Sequence, residues 1–274
     1  MVGSAATAAD RRAAARSISS SCLVTRSRPY RLALLAIFLA VPVIAGAQSG
    51  DGLPVLDGSA LQAGSWTYRA TMEREGASVE LARRTVSVAA ADYLGVPAWL
   101  IVDETDARGQ LMPDSLIVRR SDLAPLARAA RMGPVRLAVV VAGDSITGTM
   151  SAPGGEAVPI SLQLAPSTML GGAMVEEALT LLPLRAGWTG TVHELTPSPF
   201  GAALTPVTLT VAGEESVTVP AGTIACWVVT AASGGAEQRL WVAKADGRLV
   251  RRSASPPQAP DVRYETVLVE PSRP

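Results

Sequence analysis

Residues 66–73 read Trp-Thr-Tyr-Arg-Ala-Thr-Met-Glu, with apolar residues at 66, 68, 70 and 72 and polar residues between them. A period of two marks a β-strand with one buried and one wet face, because successive side chains of an extended chain point to opposite sides. Working outward, Val79–Val88 reads as a second strand, with Arg74–Ser78 as the turn. Val96–Val102 is a third, running into a polar hairpin loop over Asp103–Gly109. Further strands are predicted over 115–120, 134–142, 145–150, 158–164, 190–195, 206–212, 216–219, 224–231, 238–243, 248–253 and 262–269. Gly143-Asp144, Pro153-Gly154-Gly155, Gly213–Ser216 and Asp246-Gly247 are the turn signals between them.

Helix signals are few. Met174–Leu182 makes about two turns before Pro183 stops it. Its adjacent Glu176 and Glu177 are expected to face water. Ser121–Met132 mixes helix-favouring alanine and arginine with Pro125, and is read as strand or loop. Many short strands punctuated by Gly and Pro predict a mainly β, antiparallel domain. Pro220 lacks a ladder donor and Gly222 permits unusual backbone angles, so Val219–Thr223 reads as a sharp corner in a curved sheet.

Residues 26–48 read RSRPYRLALLAIFLAVPVIAGAQ. Three arginines, an apolar run over 32–44 and Ala45-Gly46-Ala47 form the n-region, h-region and small-residue cleavage site of a secretory signal peptide. The competing reading is a membrane anchor, but a span needs about 20 apolar residues, and Pro42 breaks this shorter run. The domain plan is therefore a signal peptide over 1–47 cleaved after Ala47, a flexible lead-in over 48–62, one β domain over 63–270 and a tail over 271–274. The product is periplasmic or secreted, with no integral membrane span. It carries a net charge of −5, because the leader removes six Arg and one Asp from a balanced chain. No clustered basic surface invites nucleic acid.

Cys22 departs with the leader, so Cys226 has no intramolecular disulfide partner and reads as a small buried hydrophobe. His193 is the sole histidine and lies on a predicted strand. It cannot build a multi-histidine metal site, and no Gly-x-Ser-x-Gly elbow accompanies it. Asp103, Glu104 and Asp106 lack calcium-loop spacing and read as solvated loop charges. No cofactor motif, metal site or catalytic set is predicted.

The segment Leu116–Asp122 faintly resembles Leu240–Asp246 position by position. Each follows a Val-Pro-Ala (96–98 and 219–221), a tryptophan-bearing strand (Trp99, Trp227) and a polar loop. A duplicated meander giving two similar halves would produce this pattern; so would the chance likeness of valine-rich hairpins.

The run Glu215–Val229, the hairpin Leu240–Arg251, and the segments Leu182–Trp188 and Asp114–Pro125 resemble uncharacterised exported bacterial proteins with a Val-Pro-Ala-Gly-Thr strand pair and an Asp-Gly-Arg-Leu-Val-Arg hairpin. The likeness covers about residues 95–269. More distantly, such proteins resemble periplasmic lipoprotein carriers of the LolA and LppX type. That resemblance implies a curved, incomplete β-barrel with one or two short helices over an apolar cavity, and a lipid or lipoprotein as partner. This chain has fewer helical signals than those carriers. The expected function is a non-catalytic exported protein binding an apolar ligand or cell-envelope component on its concave face. Trp66, Tyr68, Trp99, Trp227 and Trp241 are the candidate ligand-binding residues. The alternatives are an envelope interaction module with a filled core, and a hydrolase using His193.

Overall fold

The computed structural model describes residues 53–152, 154–198 and 201–272. The proposed leader lies outside them. Among the described residues, fifteen strands make one sheet. The first eight are β1 (Gly64–Arg74), β2 (Ala77–Tyr93), β3 (Val96–Ala107), β4 (Gln110–Arg119), β5 (Pro125–Met132), β6 (Val135–Ala142), β7 (Ser145–Ser151) and β8 (Val158–Gln163). The short β9 (Thr168–Met169) and helix α1 (Gly172–Leu179) follow. The rest are β10 (Thr189–Ser198), β11 (Gly201–Val219), β12 (Gly222–Ser233), β13 (Ala236–Ala243), β14 (Leu249–Ala254) and β15 (Val262–Ser272).

The sheet order is β8-β7-β6-β5-β4-β3-β2-β1-β15-β14-β13-β12-β11-β10-β9. The chain thus starts mid-sheet, steps outward to β8, crosses to the other edge and steps back until β15 pairs with β1. Every pairing is antiparallel except β9 with β10. Short polar turns drive this meander: the Asp92 carboxylate accepts the Gly95 N–H at 2.8 Å, and that of Asp106 the Gly109 N–H at 2.6 Å. The sheet curves without closing into a barrel. Bulges in β2, β11 and β15 add bend by leaving one extra residue, Leu81, Ala212 and Val269 respectively, unpaired on one strand of a ladder.

One bulge corrects a sequence expectation. Gly213–Ser216 is not a hairpin turn but lies inside β11, where Glu214 faces Trp227 and Glu215 faces Cys226 across the ladder. The extra residue at Val211/Gly213 is absorbed by the bulge, so a glycine-acid cluster that looks like a turn stays extended. The ambiguous 121–132 segment resolves into a tight corner, then β5, with Pro125 at its first residue, where no ladder donor is needed. The lead-in over 53–62 is pinned: Leu56 and Leu61 join the core, and Gly58–Ala60 forms a turn of 3-10 helix.

The core lies on the concave face. Inward residues of β1–β8 and β10–β15, such as Trp66, Val86, Ile101, Leu116, Ile146, Leu209 and Leu240, surround α1. All seven residues Ala173–Leu179 are buried. An eight-residue helix has little stability alone, so this packing holds it. A second, smaller cluster of Val217, Val219, Cys226, Val228, Trp241, Ala243 and Val250 packs separately from the concave core.

Candidate functional site

Two features stand out: a buried ionic cluster beneath α1, and a pair of matching corners beside it. Glu176 and Glu177 do not face water; they are 5% and 3% exposed. Every residue of the helix from Ala173 to Leu179 is buried, so no wet face remains for them. Arg84 of β2, Arg252 of β14 and Arg248, just ahead of β14, meet them instead. Arg84 donates Nη1 to both Glu176 oxygens at 3.1 and 2.8 Å, and Nε and Nη2 to Asp103 at 2.8–3.0 Å. Arg252 Nη1 reaches Glu176 Oε1 at 2.9 Å, and Arg248 Nη1 spans both Glu177 oxygens at 2.9 and 2.8 Å. Three arginines thus face three carboxylates. Asp103 also departs from expectation: it sits in β3 beside Arg84 and is not a free loop charge.

Aromatic rings line the same cluster. The Arg248 guanidinium lies 3.3 Å from the Trp66 ring centroid, and that of Arg84 5.5 Å from the Tyr68 ring. Tyr68 donates its hydroxyl to the Leu249 carbonyl at 3.2 Å. Burial pushes the Tyr68 phenol well above its ordinary range, and the Glu176 charge adds to the effect. Burial pulls the Arg84 guanidinium down, yet Glu176 and Asp103 outweigh it and hold the proton more firmly than usual. Burial raises Glu177 despite its Arg248 partner. Replacing water around such groups costs several kcal/mol per ion, so the paired cluster adds little net stability, whereas removing one partner would strand a buried charge.

Neighbouring groups complete the floor. Arg128 holds Asp114 at 3.0 and 2.7 Å and donates Nη1 to the Leu170 carbonyl just ahead of α1. Burial lifts both Asp114 and the nearby Glu194 above the carboxylate range. Among the described residues no group of three or more His, Cys, Asp or Glu could hold a metal ion.

Of the five aromatic candidates, the structure gathers Trp66, Tyr68 and Trp99 into the concave core, each under 9% exposed. Trp227 is half-buried against its rim. Trp241 belongs to the separate cluster, where its Nε1 donates to Glu215 at 2.8 Å and Arg251 stacks on it at 4.6 Å. His193 Nδ1 lies 2.8 Å from the Pro166 carbonyl. Burial, then Glu215 and Asp246, pushes the Cys226 thiol up to about 11, which disfavours the reactive thiolate. Sequence reading missed the arginines. The available signal was Arg84-x-Val86-x-Val88, an arginine in phase with inward valines, which needs a buried acid opposite.

The second feature is a repeated corner. Between β4 and β5, Arg119 N donates to Ala124 O at 2.8 Å, Leu123 N to Arg119 O at 2.9 Å and Arg120 N to Pro97 O at 2.9 Å. Between β13 and β14, Ala243 N donates to Arg248 O at 2.8 Å, Gly247 N to Ala243 O at 2.9 Å and Lys244 N to Ala225 O at 2.9 Å. In each corner an aspartate, Asp122 or Asp246, accepts the amide two residues on at 3.1 Å. In each, a cation stacks on a tryptophan: Arg120 on Trp99 at 4.7 Å, Lys244 on Trp227 at 4.1 Å. The first corner is covered by the lead-in. The second borders an open groove of about 420 Å³ lined by Trp227, Lys244, Ala245, the chain after α1 and the end of the lead-in at Ala60 and Gln62.

Among solved structures, the chain is similar to a protein from Bacteroides fragilis described as exported, with a YmcC-like fold. That match has 12% identity, 81% of this chain and 99% of that one covered, and a TM-score of 0.39. The hypothetical lipoprotein YmcC from Escherichia coli matches at 12% identity over 76% of this chain and 86% of its own, with a TM-score of 0.32. A DUF1329 family protein from Desulfovibrio piger matches at 12% over 79% and 91%, with a TM-score of 0.24. No curated protein matches the chain. Among the described residues no helix is long and apolar enough to cross a membrane. Residues 67–265 match the family model described as protein of unknown function (DUF3108), and the chain belongs to that family.

Proposed function

We propose that this is an exported, non-catalytic β scaffold that docks a component of the cell envelope through its rim, with its concave face filled. The supporting observation is α1, every residue of which from Ala173 to Leu179 is buried within the curve of the sheet. An acyl chain entering that face would have to displace the helix and unpair Arg84, Arg248 and Arg252 from their carboxylates. Leaving such charges unpaired in a low-dielectric interior costs about 3–5 kcal/mol per broken pair, more than a short apolar contact returns. Export rests on the basic, apolar and small-residue order of residues 26–47. The non-catalytic reading draws on the engaged His193 ring and the raised Cys226 thiol.

The test is native mass spectrometry and thermal shift of the purified protein with vesicles of envelope lipid. The expected result is an unliganded mass and an unmoved melting temperature. A stoichiometric lipid adduct would instead return the concave face, and with it the lipoprotein-carrier resemblance, to first place.

A further inference from the structure

We propose that the groove at the second corner is a docking site for a glycine-centred backbone turn of a partner polypeptide. The protein's own lead-in supplies the template. At the first corner Gly58 donates its N–H to Ser121 O at 2.9 Å, and its carbonyl accepts from Trp99 Nε1 at 2.8 Å. One residue thus satisfies one acceptor and one donor of the corner. It has to be glycine: a Cβ there would sit 2.6 Å from Arg120 O and 2.9 Å from Leu123 N. Leu56 and Leu61, flanking it, are buried and anchor the turn.

The matching hydrogen bonds fix the equivalence of the two corners. Ser121 corresponds to Ala245, Arg120 to Lys244 and Trp99 to Trp227. At the second corner neither Ala245 O nor Trp227 Nε1 has a hydrogen-bond partner among the described residues. Both residues line the same groove of about 420 Å³. Leu181, Leu182 and Leu184 give it an apolar wall, and Ala60 and Gln62 at the end of the lead-in also line it. The groove thus offers one acceptor, one donor and an apolar wall, the set that the lead-in uses one corner away. A partner turn with glycine at its centre and leucines on either side fits that set.

This inference deepens the proposed rim docking and rests on it, but its test needs neither export nor an envelope. The probe is a capped peptide of the sequence Leu53–Gln62, LPVLDGSALQ, titrated into the purified protein by fluorescence anisotropy. Saturable binding is expected. The peptide with Val at its glycine should bind at least about tenfold more weakly, as should any bulkier residue that clashes with the corner backbone. Trp227→Phe keeps the ring stack and removes the N–H, and should weaken binding about five- to tenfold with an unchanged melting temperature. Trp99→Phe should leave it unchanged. No saturable binding, indifference to both the glycine and Trp227, or sensitivity to Trp99 alone would overturn the proposal. The last outcome would mean that the peptide exchanges with the lead-in. A lipid adduct in the native mass experiment, by contrast, bears on the filled core and not on this groove.

Discussion

The corner at Arg119–Ala124 and the corner at Ala243–Arg248 follow the same backbone path and fill the space beneath it by different means. In the first, Leu123 takes φ 56° and buries its own side chain, 2% exposed. In the second, Gly247 at φ 71° has no side chain, and the backbone of Thr180 at the end of α1 packs against it. The left-handed angle costs a leucine about 1 kcal/mol or more, which burial of the side chain offsets at about 2 kcal/mol. The last corner residue differs too: Ala124 ends the first, whereas Arg248 ends the second and reaches into the core to grip Glu177. The first corner fills its own underside with Leu123 and is capped by the lead-in; the other is finished by the helix. The helix and the second corner therefore hold each other in place, and the groove opens where that junction leaves Trp227 uncovered.

Arg248→Ala gives the second corner the residue of the first, and should have the largest effect. It strands Glu177 in the core beside Trp66. A loss of about 3–5 kcal/mol in urea unfolding is expected, as for other broken buried pairs. Adding Glu177→Leu should recover most of that loss, since an apolar pair replaces an ionic one at little cost. If Arg248→Ala unfolds at the wild-type urea midpoint, α1 is not held through this contact.

Exchanging the turn residues comes next. Gly247→Leu forces a leucine to positive φ and places its Cβ 2.4 Å from Thr180 Cα. A destabilisation of about 3 kcal/mol is expected from strain and overpacking together. Leu123→Gly loses a buried leucine but relieves its backbone, and should cost about 2 kcal/mol. Equal effects in the two swaps would show that Thr180 yields freely, and that the corners are not completed differently.

Much of this asymmetry was hidden in the sequence, although the corners themselves were not. Period-two alternation located the strands because each has one buried face, and Leu116–Asp122 beside Leu240–Asp246 is visible because a shared turn needs shared turn residues. The Val-Pro-Ala triplets, in contrast, mislead about register. Ala98 pairs with Arg119 and Cys226 with Ala243, so Val96-Pro97-Ala98 corresponds to Ile224-Ala225-Cys226 and not to the second triplet. Its residue type groups Trp241 with the other tryptophans, yet it alternates with inward Leu240 and Val242 and so points away from them. Glu176 and Glu177 were illegible for another reason: helical periodicity tells which residues share a face, but not that every face of the helix is buried. Their partners come from strands far off in sequence, and only the odd arginine on an apolar phase hints at them.

Trp99→Phe and Trp227→Phe form a finer comparison. The first loses the hydrogen bond to Gly58 O in a buried setting, and should lower stability by about 1 kcal/mol. The second loses no bond to any described residue, and should leave the urea midpoint within error. A similar loss in both would mean that Trp227 already has a partner, and the groove would then be closed to the turn proposed for it.

The smallest expected effect concerns the aspartate at the first corner. The Arg119 hydrogen bond, together with the Ala124 amide, holds Asp122 below its ordinary value of 3.8. A carboxyl group with a depressed folded pKa contributes stability that is fully present above its unfolded value and is lost as pH falls through the folded one. Asp122 and Arg119 are both well solvated, with side chains 33% and 46% exposed, so screening keeps the contribution to a few tenths of a kcal/mol. Asp122→Asn retains an acceptor for the Ala124 amide but removes the charge. The variant should be slightly less stable than wild type near neutrality, and the gap should close as the buffer is taken from about pH 5 to about pH 2. Stability curves measured by urea unfolding across that window give the answer. A gap that persists undiminished at the acid end would place the role of Asp122 in turn geometry alone, and the two corners would then owe their shared shape to the Asx hydrogen bond and nothing to charge.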